Sequence, residues 1–345
     1  MKDYHQLTRV GQLRRLRKLA RLALARYGLE HANLVLLKNV STPILCIDTP
    51  TDAASTRRTR FVLRIHDPEK LSRDVLRSEL QWLVALRRDI GVVVPEPLVN
   101  IDGDLLTEVT SDDVAGSRVI VVFHWVEGEI RNARLGTREF AAVGSFMARL
   151  HEHARSFQPP PGFTRPRLDW NWLFGPTAPL GSGRGKEVFS SQDMAVFQRT
   201  GEFIRQQMQQ LGEGPEVFGL IHSDLHQFNY LFYCGEVRAI DFQDCGWGYY
   251  LYDMAPTFSE ALERKNLTPQ DWAAQRAAFL DGYQHVRALP GDYEEQLKIF
   301  ELVRVVDLVN WVLSWPSIDL QQWGPDYLQL AVRVLKERLQ DGCFL

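Results

Sequence analysis

Apolar residues recur at helical spacing near the start of the chain. Leu7, Val10, Leu13, Leu16, Leu19, Leu22 and Ala23 form a stripe that ends near Gly28 and predicts a packed helix. The pattern then changes to extended runs. Leu34–Leu37 and Ile44–Ile47 read as two strands joined by a turn over 38–43, and 48–58 is polar and turn-rich. From Arg60 to His66 the side chains alternate, with Phe61, Leu63 and Ile65 on one face and Val62 and Arg64 on the other, as in a strand. A helix over Ser72–Asp89 carries Leu76, Leu80, Leu83 and Val84 on its apolar side. Gly91–Pro97 is extended, because each proline biases the residue before it toward β geometry. Leu105–Val109 and Val119–Phe123 read as two more strands. The order strand-strand-strand-helix-strand-strand makes a small α+β lobe.

From Thr137 onward the pattern is mainly helical, with helices expected over 139–155, 190–211, 253–264, 269–284, 293–315 and 327–339. Two features interrupt it. Residues 159–186 are rich in Pro and Gly and hold Trp170, Trp172 and Phe174, and 218–240 contains short strands. The fold class expected is α+β with two lobes: residues 1–123 as a β-rich N-lobe, 124–129 as a hinge and 130–345 as a helical C-lobe. A length of 345 residues suits two lobes better than one core.

Composition narrows the function. A net charge of −3 and a pI near 6.3 give no global basic field, so no nucleic-acid partner is indicated. No run of eighteen apolar residues occurs, so no membrane span is expected, and a cytoplasmic protein with free thiols is the expectation. Cys46, Cys234, Cys245 and Cys343 form no C-x-x-C pair. The Arg-rich first helix reads as a packed helix with a solvated basic face.

The chemistry concentrates in one stretch. Phe218–Ile221 leads into His222-Ser223-Asp224-Leu225-His226-Gln227-Phe228-Asn229, then Tyr230–Tyr233, a turn at Cys234–Glu236, and Val237–Phe242 with Asp241 at the strand end. Phosphoryl transfer needs a carboxylate to orient or deprotonate the attacking hydroxyl, which fits Asp224. It also needs hard oxygen ligands for Mg2+, which fits Asn229 and Asp241 if the intervening hairpin folds them together. Each of the three taken singly reads equally well as a turn or cap residue. His222 reads as a loop anchor. Gly181–Glu187 is no P-loop, since Leu180 stands where Gly is required and Glu187 where Ser or Thr is required.

The loop His222–Asn229, with Ile240-Asp241-Phe242 and Tyr252-Asp253-Met254-Ala255, resembles the aminoglycoside phosphotransferase and choline kinase superfamily, in particular its homoserine kinase-like bacterial members. The resemblance spans about Leu34 to Trp315. It implies a protein-kinase-like fold and ATP- and Mg2+-dependent phosphorylation of a hydroxyl on a small molecule such as an amino alcohol, sugar, choline-like compound or aminoglycoside. It carries Asp224 over as catalytic base, Asn229 and Asp241 as metal ligands, and Asp253 as a structural residue. It also implies that Arg64 and Glu79 form the phosphate-holding cation and its helix carboxylate, with Arg in place of the usual Lys. The backbone of His124, Trp125 and Val126 would meet the adenine edge. No G-x-G-x-x-G loop is present, and Lys38–Thr42 is the stretch left to cap the phosphates. Asp244, Trp247 and Tyr250, with Trp170, Trp172, Trp311 and Trp315, are acceptor-side candidates. A Ser/Thr protein kinase and a nucleotide-binding pseudokinase are the alternatives. The sequence sets no oligomeric state.

Overall fold

The computed structural model describes residues 7–39, 42–49, 59–69, 71–131, 135–259, 267–314 and 318–340. Val40 and Ser41 of the proposed phosphate cap, Trp315 and Cys343 lie outside the described residues. The chain divides into two compact units, Met1–Glu127 with Pro159–Thr164, and Gly128–Gln158 with Arg165–Leu345.

The first unit is built on one antiparallel sheet of order β1-β2-β3-β5-β4: β1 Asn33–Asn39, β2 Pro43–Asp48, β3 Arg60–His66, β4 Thr107–Ser111 and β5 Val114–His124. The alternation along β3 sorts its side chains as expected. Phe61, Leu63 and Ile65 join Leu45, Ile47, Ile120 and Val122 in a core sealed by Leu16, Leu19, Ala20, Ala23 and Leu24 of α1, Arg9–Leu24. Arg64 projects to the opposite face, as residue parity on a strand dictates. The α1 stripe is narrower than its sequence period suggests. Val10, in the first turn, and Leu22, off the face formed by Leu16, Leu19, Ala20, Ala23 and Leu24, are exposed. Helix α2, Arg73–Ile90, starts where the Ser72 side chain accepts from the Val75 amide and stops where Gly91 adopts φ 63°.

The second unit is mainly helical: α3 Thr137–Ser156, α4 Trp170–Phe174, α5 Ser191–Leu211, α6 Tyr250–Ser259, α7 Pro269–Gln284, α8 Tyr293–Ser314 and α9 Ile318–Gln340. Helices α3 and α7 lie close because both carry glycine at the contact. A Cβ on Gly144 would stand 2.0 Å from the Phe279 carbonyl oxygen, and one on Gly282 2.0 Å from that of Ala141. Two short antiparallel pairs complete the unit: β6 Phe218–Ile221 with β9 Gly246–Tyr249, and the hairpin β7 Tyr230–Tyr233 with β8 Glu236–Ala239. Three elements depart from expectation. The 159–186 stretch contains α4, nucleated by the Asp169 side chain accepting from the Asn171 and Trp172 amides. Strand β9 has too many glycines to read as a strand. Helix α9 starts at Ile318, well before Tyr327, with Pro325 inside it. Among the described residues no helix is long and apolar enough to cross a membrane.

Candidate active site

The stretch from His222 to Asn229 leaves β6 as a loop whose backbone is held from below. Asp253 on α6 is fully buried, and its carboxylate accepts from the His222 amide (3.1 Å) and the Ser223 amide (2.5 Å). These bonds hold Ser223 at φ 68°, a left-handed conformation that a residue with a Cβ adopts only under constraint. The buried His222 ring donates from Nε2 to the Ile240 carbonyl (3.0 Å) and accepts the Asp224 amide at Nδ1 (3.3 Å). It thus ties the loop to the end of β8 and takes no part as an exposed acid or base. Thr257 of α6 donates to the Leu225 carbonyl (2.7 Å). Behind Asp253, His151 bridges the carboxylate (3.0 Å) and the Tyr283 hydroxyl (2.8 Å), and burial lowers its pKa, so it stays neutral.

The β7–β8 hairpin does bring Asn229 and Asp241 together. Tyr230 pairs with Ala239, and the Ile240 amide donates to the Asn229 carbonyl at 2.8 Å, so Asp241 follows directly on a residue bonded to Asn229. Asp241 sits at φ 63°, a second left-handed residue bearing a Cβ. The Asn229 amide group donates to the Asp224 carbonyl (2.9 Å) and to Asp224 Oδ2 (3.2 Å), which turns its own side-chain oxygen away from Asp224. After Asp241, Arg165 clamps the chain, donating to the carbonyls of Gln243 (2.6 Å) and Cys245 (2.6 Å). Ser223 Oγ donates to the Asp244 carbonyl (2.7 Å).

Asp224 is held by a residue that the sequence did not single out. Arg304 of α8, only 5% exposed, donates from Nη2 to Asp224 Oδ1 at 2.6 Å. The other oxygen, Oδ2, has His226 Nε2 at 3.5 Å besides Asn229. Burial pushes the Asp224 carboxyl up, but Arg304 and His226 outweigh it and hold the group well below the usual carboxylate range. Arg304 also faces Asp307 (3.5 Å), which accepts from the Tyr252 hydroxyl (2.7 Å) and Trp172 Nε1 (2.9 Å). A signal existed in the sequence: Arg304 interrupts the apolar run Leu302, Val303, Val306, Val309 on α8.

Asp244 behaves differently. Its carboxyl is pushed up to about 7 by desolvation and by the negative charges of Asp224, Asp241 and Asp307. Its surface is exposed, so the crowding of carboxylates is the stronger physical cause. That crowding fits a site that takes a cation. Asn229 and Asp241, the ligands expected from the sequence, stand at the two ends of the β7–β8 hairpin, and among the described residues no three His, Cys, Asp or Glu side chains gather at metal-binding range. Of the other acceptor-side candidates, Tyr250 is buried. Its hydroxyl donates to the Pro215 carbonyl at 3.4 Å, and its ring packs on His151 and Arg287. Trp247 is half-buried on β9, opposite Leu220. Trp170 donates to the Gly201 carbonyl (2.8 Å) and Trp311 stacks on Trp323, both helix-packing roles.

In the first unit, Arg64 of β3 and Glu79 of α2 form a buried pair, Nη2 to Oε1 at 2.6 Å, with the guanidinium 4.6 Å over the Phe123 ring. Arg64 Nε and Glu79 Oε2 are buried without a partner among the described residues. At the end of β5, the His124 amide donates to the Glu96 carbonyl (2.8 Å) and the Trp125 amide to that of Arg60 (3.2 Å). Those two donors are therefore already used within the first unit. Arg60 stacks over Trp125 at 4.3 Å and pairs with Glu127 at 3.0 Å.

Residues 51–296 match the sequence model of the Phosphotransferase enzyme family. Among characterised proteins, the chain is 23% identical to amicoumacin kinase of Bacillus subtilis (strain 168) over 275 residues, 77% of each chain. Among solved structures, it superposes on the microcompartment-associated aminopropanol kinase with a TM-score of 0.79 and 27% identity, over 95% of this chain and 99% of the other. It also superposes on amicoumacin kinase hAmiN in complex with AMP-PNP, Ca2+ and Ami, with a TM-score of 0.71 and 19% identity, over 92% of this chain and 96% of that one.

Proposed function

The chain belongs to the Phosphotransferase enzyme family, a kinase with a protein-kinase-like fold, and from that premise we propose that it moves the γ-phosphate of ATP to a hydroxyl group of a small, amine-bearing metabolite, with Mg2+. The observation that carries this reading is the Asp224 carboxylate on a loop shared with Asn229 and closed by the hairpin to Asp241. Asp224 orients the acceptor hydroxyl and takes its proton as the oxygen attacks phosphorus. Its pKa lies far below that of an alcohol. Orientation, more than early proton abstraction, is therefore its contribution, as a loose transition state requires. Asn229 and Asp241 would hold Mg2+, which when bound neutralises charge developing on the phosphates. In the first unit, Arg64 holds the nucleotide phosphates. Its unpartnered Nε is the donor available to a phosphate oxygen, and Glu79 fixes the guanidinium plane. The carbonyls of the 124–126 stretch and the Val126 amide serve the adenine.

The acceptor class follows from charge. Asp224, Asp241 and Asp307 lie close enough to Asp244 to raise its carboxyl, and the exposed Trp172 donates from its indole nitrogen to Asp307. A protonated amine on the acceptor would be attracted by these carboxylates and by the aromatic face. The related aminopropanol and amicoumacin kinases support an acceptor of this kind. The test is ADP release with MgATP across amino alcohols, hydroxy amino acids, sugars, aminoglycosides and a protein mixture. Turnover confined to amine-bearing small hydroxyl compounds is expected. Phosphate transfer to protein alone, or to neutral sugars alone, would overturn the acceptor class.

A further inference from the structure

Helix α8 presents an apolar face to its neighbours, with Leu302, Val303, Val306 and Val309 buried, yet its middle carries a buried guanidinium. A leucine or methionine of similar volume would pack there without the cost of desolvating a charge. The guanidinium is accounted for by what it holds. Nη2 of Arg304 reaches Asp224 Oδ1 at 2.6 Å across eighty residues of sequence. Arg304 is itself held. Asp307 stands one helical turn away at 3.5 Å, and its two oxygens are fixed by the Tyr252 hydroxyl at 2.7 Å and Trp172 Nε1 at 2.9 Å. Tyr252 comes from α6, the helix that also supplies Asp253 under the loop. The carboxylate is therefore braced twice, through its backbone by Asp253 and through its side chain by Arg304.

We propose that Arg304 is a positioning residue for phosphoryl transfer: it binds one oxygen of Asp224 so that the other, Oδ2, faces the acceptor hydroxyl. This rests on the reading that Asp224 orients that hydroxyl. Oδ2 has only longer contacts, to Asn229 at 3.2 Å and His226 at 3.5 Å, and is the oxygen free to exchange partners. In the transfer step the acceptor oxygen forms its bond to the γ-phosphorus. The bond from phosphorus to the β,γ-bridging oxygen breaks, and its electron pair leaves on ADP. The hydroxyl proton passes to Oδ2. An Asp224 side chain free to rotate would offer either oxygen in many orientations. Misplacement of about 1 Å at a reacting group costs on the order of 100-fold in rate.

The experiment measures ADP release by the full chain with MgATP, using water and a mixture of ethanolamine, 1-amino-2-propanol and homoserine as probe acceptors. Arg304→Met is expected to lower kcat about 100-fold with the KM for MgATP within about twofold of the parent. Arg304→Lys restores part of the loss, since an ammonium supplies the charge but not the planar fork. The deciding comparison is the cycle with Asp224→Asn. If Arg304 acts through Asp224, then Arg304→Met adds almost nothing once Asp224→Asn is in place. Tyr252→Phe provides a gentler variant, judged by the same cycle should Arg304→Met melt. It removes one brace on Asp307 and is expected to lower kcat about threefold in the parent and not in the Asp224→Asn background. Losses that add independently of Asp224, or an Arg304→Met kcat within threefold of the parent, overturn the proposal and leave the Asp224 reading standing. Full turnover by Asp224→Asn overturns that reading and the proposal with it.

Discussion

Two arginine–carboxylate pairs, one in each unit, share the same 2.6 Å contact and have opposite logic; Arg64 and Glu79 are both buried, whereas Arg304 is buried and Asp224 half-buried. On the function proposed above, the cation of Arg64–Glu79 is the working group and the carboxylate fixes it, whereas in Arg304–Asp224 the carboxylate is the working group and the cation fixes it. Each pair leaves a buried guanidinium Nε without a hydrogen-bond partner among the described residues, and Glu79 Oε2 is unpartnered as well. Asp224 is enclosed by Arg304, Asn229 and His226, and Arg304 is backed by Asp307. A buried ion pair contributes little net stability against an apolar replacement, so both are better explained by the geometry that they impose than by the energy that they add.

That contrast can be broken by experiment. The largest effect expected is that of Asp224→Asn. It should lower kcat about 1,000-fold, the range for loss of a general base, while MgATP KM stays near the parent value; the melting temperature should drop, because Arg304 is left buried beside a neutral partner. Next, Glu79→Gln leaves Arg64 buried beside a neutral partner. It should destabilise the fold by about 3 kcal/mol, seen as a lower denaturant midpoint, and should raise MgATP KM more than it lowers kcat. An unchanged KM with a kcat loss like that of Asp224→Asn would show that both pairs do the same job. A smaller effect concerns pH. Asp244 is raised from 3.8 to about 7, so the folded chain keeps a proton there that the unfolded chain releases above about pH 4. The stability that this proton carries is lost as pH rises through about 7. Asp224, shifted the other way, is ionised in both states across that window and adds no slope. Without divalent cations, the melting temperature should fall between about pH 5 and 7 more steeply in the parent than in Asp244→Asn, and Mg2+ should flatten the difference. Smallest is Ser72→Ala, which removes the cap of α2 and should cost about 1 kcal/mol. MgATP KM should not move, because Glu79 sits two turns inside that helix.

The two pairs also differ in how far they could be read in advance. Arg64 and Glu79 were legible because their elements are. The alternation over Arg60–His66 gives β3 its bounds and its faces, and a capped helix follows within a few residues. The same local logic gave α7 its ends, Pro269 and Gln284. Asn229 and Asp241 were legible because a hairpin fixes register over a short loop. Arg304 was not, since its partner lies eighty residues away and helix periodicity says nothing about which distant carboxylate a cation meets. Strand β9 was hidden for a related reason. Gly246 and Gly248 suppress strand propensity. Yet a Cβ at Gly248 would lie 2.5 Å from Ile221 Cδ1, and one at Gly246 2.6 Å from the Pro166 carbonyl oxygen. Tertiary crowding selected residues that local propensity argues against.

The carboxylate of Asp253 has one more consequence. Loops that carry chemistry usually belong to the least stable parts of a fold and exchange their amide hydrogens through small local openings. Here the amides of His222 and Ser223 end on a fully buried side chain of α6, which is anchored in turn through His151 to Tyr283 of α7. Deuterium can reach those two amides only when α6 separates from the loop. Their exchange therefore belongs to the slowest class in the second unit, and the loop opens with the helical core as one cooperative block.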